Sequence, residues 1–337
     1  MEYVVGIDVS KDEIHVCLKE SLGKGKSITK SSCKLKNTPE GFKDLLQKYS
    51  KYSQSILFVM EATGSYYEDL AYYLYDLGMS VVVVLPNKIK HFAKSLNLKS
   101  KTDKIDASLI ADYALSRELV CWKPMNKIYR QLRDMSRELL SIKKDMVRAK
   151  CQLHAMIHSH EKNNCVMSLK QKQIDFYEES ISFLEENIKK LVETDQEFKE
   201  RVDKLTTIKG VRLITAVSIL CETNGFELFS NARQVTSYAG LDVALKESGT
   251  FKGKANISKR GNARIRSILY MPALSASFHN SKLRPVYERI AERNPTTKRK
   301  GIVAIMRKLL ILMYILWKKN ETFDPNHQWT SCKETKN

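Results

Sequence analysis

The chain has 337 residues, enough for about two domains at roughly 100–200 residues each, and its 43% hydrophobic content with only seven prolines excludes wholesale disorder. Lys and Arg outnumber Asp and Glu by 57 to 38, a net charge of +19 that exceeds what solubility needs and points to a polyanionic partner, nucleic acid before a membrane surface. The excess is uneven: +3 over residues 1–125, +2 over 126–204, +13 over 205–325 and +1 over 326–337.

Met1 to Gly6 has no basic region leading into an apolar run, so no secretory signal is expected and the protein is read as cytoplasmic. Tyr3 to Asp8 is a short apolar run ending in an acid, Glu13 to Lys19 alternates as a strand does, and Lys26 to Leu35 alternates weakly after a Gly23-Lys24-Gly25 turn. Together they predict a three-stranded antiparallel meander. Thr38-Pro39-Glu40 starts a helix, with Thr38 as N-cap, that runs to about Tyr49. Ser55 to Met60 is an apolar strand that delivers Glu61, a helix follows from about Ser65 to Gly78, Met79 to Leu85 is a buried strand, and Thr102 opens a helix to about Arg117. The order β-β-β-α-β-α-β-α is the layout of a ribonuclease-H-like domain.

The acids sharpen that expectation. Asp8 ends the first strand, Glu61 ends the fourth, and Asp103 and Asp106 share one face of a helix. Four carboxylates around one cleft repel, by about a few kcal/mol per close pair at an effective dielectric near ~20, unless cations sit among them. Hard oxygen ligands select Mg2+ or Mn2+, and two ions about 3.5–4 Å apart can clamp the attacking and leaving oxygens of a phosphodiester. Each acid alone reads more simply as a surface group; it is their placement beside apolar elements that points to metal-dependent phosphoryl transfer. The tyrosines Tyr66, Tyr67, Tyr72, Tyr73 and Tyr75 are read as core packing rather than base stacking.

From Leu132 the apolar positions Leu132, Met135, Leu139, Ile142, Met146, Ala149, Leu153 and Met156 alternate by three and four. A second series, Ile174, Tyr177, Ile181, Leu184, Ile188, Leu191, Asp195, Phe198, Val202 and Leu205, is broken only by Asp195. These are coiled-coil seams, and the polar stretch His158 to Ser168, turning at Asn163-Asn164, folds them into an antiparallel hairpin suited to joining protomers. Cys151, His154 and His158 share one side of the first helix, but with no second ligand pair they read as exposed polar groups rather than a metal site.

In the third segment, Leu205 to Val211 leads into an apolar helix, Leu213 to Cys221, like a helix-hairpin-helix element that grips a phosphate through backbone N–H groups. Gln234 to Gly240 is a short helix ending in glycine. Glu247 to Lys254 is a basic, glycine-rich loop, and Ile257 to Arg266 is a basic loop entering an amphipathic helix. Lys259, Arg260, Arg264 and Arg266, with Lys252 and Lys254 nearby, read as a cradle for a phosphate backbone. The most apolar stretch, Ile302 to Trp317, is 16 residues long and carries Arg307 and Lys308, too short and too charged to span a bilayer. The seven cysteines are scattered without a C-x-x-C pair, which fits a reducing compartment and gives no zinc framework.

Six short motifs in chain order carry a resemblance over nearly the whole sequence. They are Gly6-Ile7-Asp8-Val9-Ser10-Lys11, Met60-Glu61-Ala62-Thr63-Gly64, Lys101-Thr102-Asp103-Lys104-Ile105-Asp106-Ala107, Tyr238-Ala239-Gly240-Leu241, Ser248-Gly249 and Ile257-Ser258-Lys259-Arg260-Gly261-Asn262. Together they resemble the DEDD-type transposases of the insertion-sequence-110 family. The resemblance implies a RuvC-like domain over 1–125 whose acids, Asp8, Glu61, Asp103 and Asp106, bind divalent metal. It implies a mostly helical transposase domain over 205–325 with a nucleophilic serine at Ser248, beyond a coiled-coil hairpin over 126–204 and followed by a flexible tail, 326–337. It further implies a recombinase directed by a structured guide RNA, the bridge RNA, which pairs with donor and target DNA, acting as a homo-oligomer, dimer or tetramer, with a site drawn from two protomers. Lys209-Gly210-Val211-Arg212 departs from the Pro-Gly-Val-Gly common in the family, so side chains of Lys209 and Arg212 would have to replace a backbone phosphate contact. Two rival readings stand beside this one: a RuvC-like junction endonuclease in which Ser248 is a passive contact, and a non-enzymatic nucleic-acid-binding regulator in which the acids are structural.

Overall fold

A computed structural model describes residues 3–23, 26–52, 56–97, 102–244, 247–248, 251–252 and 256–326. The chain forms two compact units, Met1–Pro124 and Met125–Asn337, each with its own core.

In the first unit, β1 (Tyr3–Val9), β2 (Glu13–Gly23), β3 (Lys26–Lys36), β4 (Ile56–Glu61) and β5 (Ser80–Val84) form one sheet in the order β3-β2-β1-β4-β5. The first three strands are an antiparallel meander, while β4 runs parallel to β1 and β5 parallel to β4. This mixed sheet, in this order, is the ribonuclease-H-like arrangement. Strand alternation assigns the faces. Val5, Ile7, Phe58 and Met60 pack against α1 (Pro39–Tyr49) and α2 (Glu68–Asp76) through Phe42, Leu45, Leu70 and Leu74. Val4, Leu57 and Val59 pack on the other face against α3 (Pro86–Ser95) and α4 (Asp103–Leu115) through Ile89, Leu109, Ile110 and Ala114.

The Thr38 N-cap read from the sequence is made, and Thr102, read as opening a helix, caps it. The Thr38 hydroxyl accepts from the Gly41 N–H at 3.4 Å and the Thr102 hydroxyl from the Ile105 N–H at 3.3 Å. The second helix starts at Glu68 rather than near Ser65, because residues 64–67 form a turn that Gly64 enters at φ +58. Helix α3 has no counterpart among the expected elements. Of the tyrosines read as core packing, Tyr73 meets Phe42 at 5.5 Å and Tyr72 stands edge-on to Trp122 at 5.1 Å, whereas Tyr66 and Tyr75 are exposed.

In the second unit, α5 (Lys127–Ile157) and α6 (Asn164–Glu193) lie antiparallel, tied by Lys143–Glu185 at 2.6 Å and Lys150–Glu178 at 2.7 Å. The expected seam from Ile174 to Leu205 does not run through one helix. Asp195, the polar residue on the seam, ends it by capping α7 (Gln196–Thr206), its carboxylate accepting from the Phe198 N–H at 3.0 Å. Asn163 likewise caps α6 rather than lying mid-turn. Leu132, Leu139, Ile188 and Val192 at the base of the pair share one core with α7, α8 (Leu213–Glu222), α9 (Ala232–Tyr238), α10 (Ala263–His279) and α12 (Arg299–Lys319), and α11 (Arg284–Arg293) lies against it through Val286 and Tyr287. The apolar stretch Ile302 to Trp317 is the buried side of α12, and no described helix is long and apolar enough to cross a membrane. Two short ribbons complete the unit: β6 (Val243–Ala244) with β9 (Asn256–Ile257), and β7 (Glu247–Ser248) with β8 (Phe251–Lys252).

Candidate active site

Side-chain alternation sends two of the four acids to the same side of the sheet. Val4, Gly6 and Asp8 share one face of β1, and Leu57, Val59 and Glu61 share the same face of β4, the face covered by α3 and α4. Gly6 sets how closely α4 approaches. A β-carbon there would stand 2.2 Å from the Ala107 carbonyl oxygen and 2.5 Å from the Ala111 nitrogen, so only glycine lets the helix lie directly on β1. The clamp on the other side is Lys19 of β2, buried, whose Nζ donates to Asp112 of α4 at 2.6 Å, while the Ser27 hydroxyl donates to the same carboxylate at 3.1 Å. Held at these points, α4 delivers Asp103 and Asp106 from its first turn, where the helix dipole favours negative charge.

Asp8, Glu61, Asp103 and Asp106 all line one cleft of about 620 Å³. Its other walls carry Thr63 and the α3 residues Asn87, Lys90 and Lys94, which the sequence reading did not single out. Lys90 and Lys94 lie one helical turn apart, so one face of α3 presents two cations to a pocket of four carboxylates. The signal for them was present in Pro86 followed by Ile89, Phe92 and Ala93 at helical spacing, but the surrounding lysines masked the periodicity. Asp103 also meets His15 of β2, Oδ2 to Nδ1 at 3.6 Å. Among the described residues, no three His, Cys, Asp or Glu side chains come close enough to hold one ion, so the acids share a cleft without closing on a single point. As donors they are all carboxylate oxygens, the set that suits a hard divalent cation.

In the second unit, Ser248 is exposed in β7 and pairs with Phe251 of β8, while Lys252 is opposite Glu247 in the register. Lys254 lies outside the described residues. Lys259, Arg260 and Arg264 are exposed, whereas the Arg266 guanidinium turns back to donate to the Ala239 carbonyl at 2.8 Å. Cys151, His154 and His158 are exposed and form no metal-binding group with other described residues.

The basic loop is fixed by a backbone crossing. A β-carbon on Gly261 would stand 2.3 Å from the Tyr238 carbonyl oxygen and 2.7 Å from the Gly240 nitrogen. The Asn262 N–H donates to Tyr238 at 2.7 Å and the Lys259 N–H to Gly240 at 3.1 Å. Beneath it sits Glu222, buried, which accepts two bonds from Arg137 at 2.6 and 3.0 Å and one from Asn262 at 2.7 Å. Burial pushes the Glu222 carboxyl upward, but these hydrogen bonds and the Arg137 charge outweigh it and leave the group below its ordinary value. Glu222 was not singled out from the sequence, where it follows directly on the apolar helix expected over Leu213 to Cys221.

A family model described as a transposase of the DEDD, IS110 type matches residues 5–162, and a second, "Transposase IS116/IS110/IS902 family", matches residues 202–288. The pilin gene-inverting protein of Moraxella bovis is 28% identical over 324 residues, 95% of this chain and 97% of that protein. The transposase for insertion sequence element IS1533 of Leptospira borgpetersenii is 26% identical over 268 residues, 70% of this chain and 73% of its own. Among solved structures, Thermus thermophilus RuvC aligns at 16% identity over 36% of this chain and 99% of its own, with a TM-score of 0.29. With both family models matched in chain order, the first reaching through α5 and the second starting beyond α6, the chain belongs to the IS110 family of DEDD-type transposases, enzymes of DNA recombination.

Proposed function

We propose that this transposase cuts and rejoins DNA through a divalent-metal centre at Asp8, Glu61, Asp103 and Asp106 and a nucleophilic serine, Ser248, directed by a bridge RNA that pairs with donor and target DNA. The observation that carries this reading is that the four acids line one cleft. Mg2+ or Mn2+ held by these oxygens would supply charge neutralisation at the scissile phosphate. The chain's own residues do the rest. Lys259, Arg260 and Arg264 hold phosphates of the strand, and Lys90 and Lys94 offset the carboxylates as the backbone enters. The Ser248 hydroxyl proton passes to solvent, its oxygen bonds to phosphorus as the phosphorus–oxygen bond to the cut strand breaks, and the released strand oxygen takes up a proton from solvent. The resulting phosphoserine keeps the bond energy for rejoining, where hydrolysis would discard it.

The α5–α6 pair is, in this reading, an antiparallel coiled-coil hairpin of a homo-oligomer, dimer or tetramer, working in the cytoplasm on the DNA of its element. Ser248→Ala tests the nucleophile. Loss of cleavage by about a thousandfold or more, together with loss of a covalent protein–DNA adduct, is expected. Undiminished metal-dependent nicking would instead mark a junction endonuclease. Asp103→Asn with Asp106→Asn should abolish cleavage while DNA affinity holds or rises. RNA sequenced from the purified protein should contain loops complementary to the two DNA partners.

A further inference from the structure

Helix α10 turns one side into the core through Ile265, Leu269, Ala273 and Ala276 and leaves the other in solvent. At about 100° per residue the outward side carries Arg264, Ser267, Tyr270, Met271, Ser275 and Phe278. Three of its large side chains stand open: Tyr270 is 38% exposed, Met271 63% and Phe278 57%. Leu274 between them is half-buried, and Phe278 leans on Tyr287 of α11, ring centroids 6.2 Å apart. An apolar stripe of this kind on a rigid helix marks an interaction surface.

Charge names the partner. Residues 248–320 hold 17 Lys and Arg against two acids, Glu288 and Glu292, both on α11. Arg284 of the same helix takes Glu288 at 2.7 Å. The other helices packed on α10 add little negative charge: α12 has no acid, and the one acid of α8 is Glu222, buried beneath Arg137 and Asn262. Asp134 and Glu138 of α5 share a cleft with Arg264, but so do Arg137 and Lys144. Exposed cations also frame the stripe. Lys259, Arg260 and Arg264 stand at its start. The turn bearing exposed Lys209 and Arg212 lies against its middle, where a β-carbon on Gly210 would stand 2.8 Å from the Pro272 carbonyl oxygen. A second copy would set these cations against themselves, and in an enzyme of DNA recombination the polyanion at hand is nucleic acid.

The stripe selects the state of that nucleic acid. A duplex presents phosphates and groove edges while its base faces are hidden in the stack. An unpaired strand presents flat base faces together with its phosphates, which matches aromatic and apolar side chains flanked by cations. We propose that the outward face of α10 holds an unpaired stretch of the DNA strand gripped by the basic loop, its bases against Tyr270, Met271 and Phe278 and its phosphates on the flanking cations. The inference rests on the reading of Lys259, Arg260 and Arg264 as the cradle of that strand, and adds where the strand goes next and in what state. Only the loop 258–262 separates β9 from α10, so a strand leaving the cradle meets this face first.

The test uses the full chain. Met271→Ser with Phe278→Ser should weaken binding of single-stranded DNA about tenfold or more, spare duplex DNA of the same sequence, and leave the salt slope and the thermal melt in place. Lys259→Ala with Arg260→Ala is the reference, expected to weaken both DNAs and to lower the slope. Duplex weakened by the serine pair as much as the single strand would mean a wedge in a groove and overturn the proposal. In the complex isolated from cells, an ultraviolet adduct on the α10 peptide should be removed by deoxyribonuclease. Removal by ribonuclease alone would give the face to RNA and overturn the assignment to DNA. Binding unmoved by the serine pair but weakened by the alanine pair would overturn the proposal and leave the cradle standing. Binding unmoved by either would overturn both.

Discussion

Gly6 lies flat under Ala107, with room for a hydrogen where any other residue carries a β-carbon: that atom would stand 2.2 Å from the Ala107 carbonyl oxygen. Because Asp8 follows two residues later on the same face of β1, and Asp106 precedes Ala107, this contact sets the spacing between strand and helix acids. Gly6→Ala must lift α4. The first unit should lose about 1–3 kcal/mol, read from its denaturant midpoint. Single-turnover cleavage should fall further than that loss of stability accounts for. Cleavage at the parental rate would show that the contact supports the fold and nothing more.

The clamp at the other side of α4 separates two kinds of substitution. Asp112→Ala leaves the buried Lys19 ammonium without its carboxylate and should cost about 3 kcal/mol. Lys19→Met keeps most of the buried stem and leaves Asp112 with Ser27 and partial access to water, so it should cost less. Urea unfolding of the two variants side by side checks the order, and equal costs would mean that the charge is better solvated than its burial indicates.

Glu222 should give the second unit an acid-sensitive component. A carboxyl whose pKa is lowered by folding adds stability that is complete above its unfolded value, near 4.5, and is lost as pH drops through the lower folded value. Glu222→Gln should therefore cost about 2 kcal/mol at neutral pH and flatten the loss of stability below pH 4.5. Melting curves collected from neutral to acid pH test both. A variant that keeps the full acid slope would place its origin elsewhere.

The two arginines of α10's first turn should part company in binding experiments. Arg264 is exposed, and Arg264→Ala should reduce the slope of log affinity against log salt by about 1. Arg266 already holds the Ala239 carbonyl, so Arg266→Ala should lower the melting temperature and change the salt slope less. Titrations of DNA at several salt concentrations, with a melt for each variant, make the comparison.

Where local chemistry decides the outcome, the sequence was readable. Thr38 caps the helix it was expected to cap, and Thr102 caps the helix it was expected to open, because an N-cap needs only a hydroxyl and the N–H groups just after it. The element order and the antiparallel meander of the first three strands followed from alternation and turn residues, and in the structure the same alternation brings Asp8 and Glu61 to one face. Lys90 and Lys94 were missed because their helix is mostly polar, so its few apolar positions gave a faint period. Asp195 was read as a flaw in a seam because periodicity weighs a residue by polarity alone, whereas its carboxylate satisfies the Phe198 N–H at the start of a new helix. Glu222 escaped for a different reason. Its partners, Arg137 and Asn262, are 85 and 40 residues away, a separation at which spacing in one sequence carries no information.

The long helical pair has a consequence for how such an enzyme can vary in size. Leu132, Leu139, Ile188 and Val192, with Met135, Ile181, Leu184 and Leu191 packed beside them, anchor it in the core of the second unit, whereas the far end, near Asn163, is bounded by exposed residues. Seven residues added to or removed from both helices, beyond those anchors, return every side chain to nearly the same angular position. Reach and catalytic scaffold are thereby separable: the arm can change length in steps of about 10 Å, two helical turns, without repacking the interior that holds the basic loop.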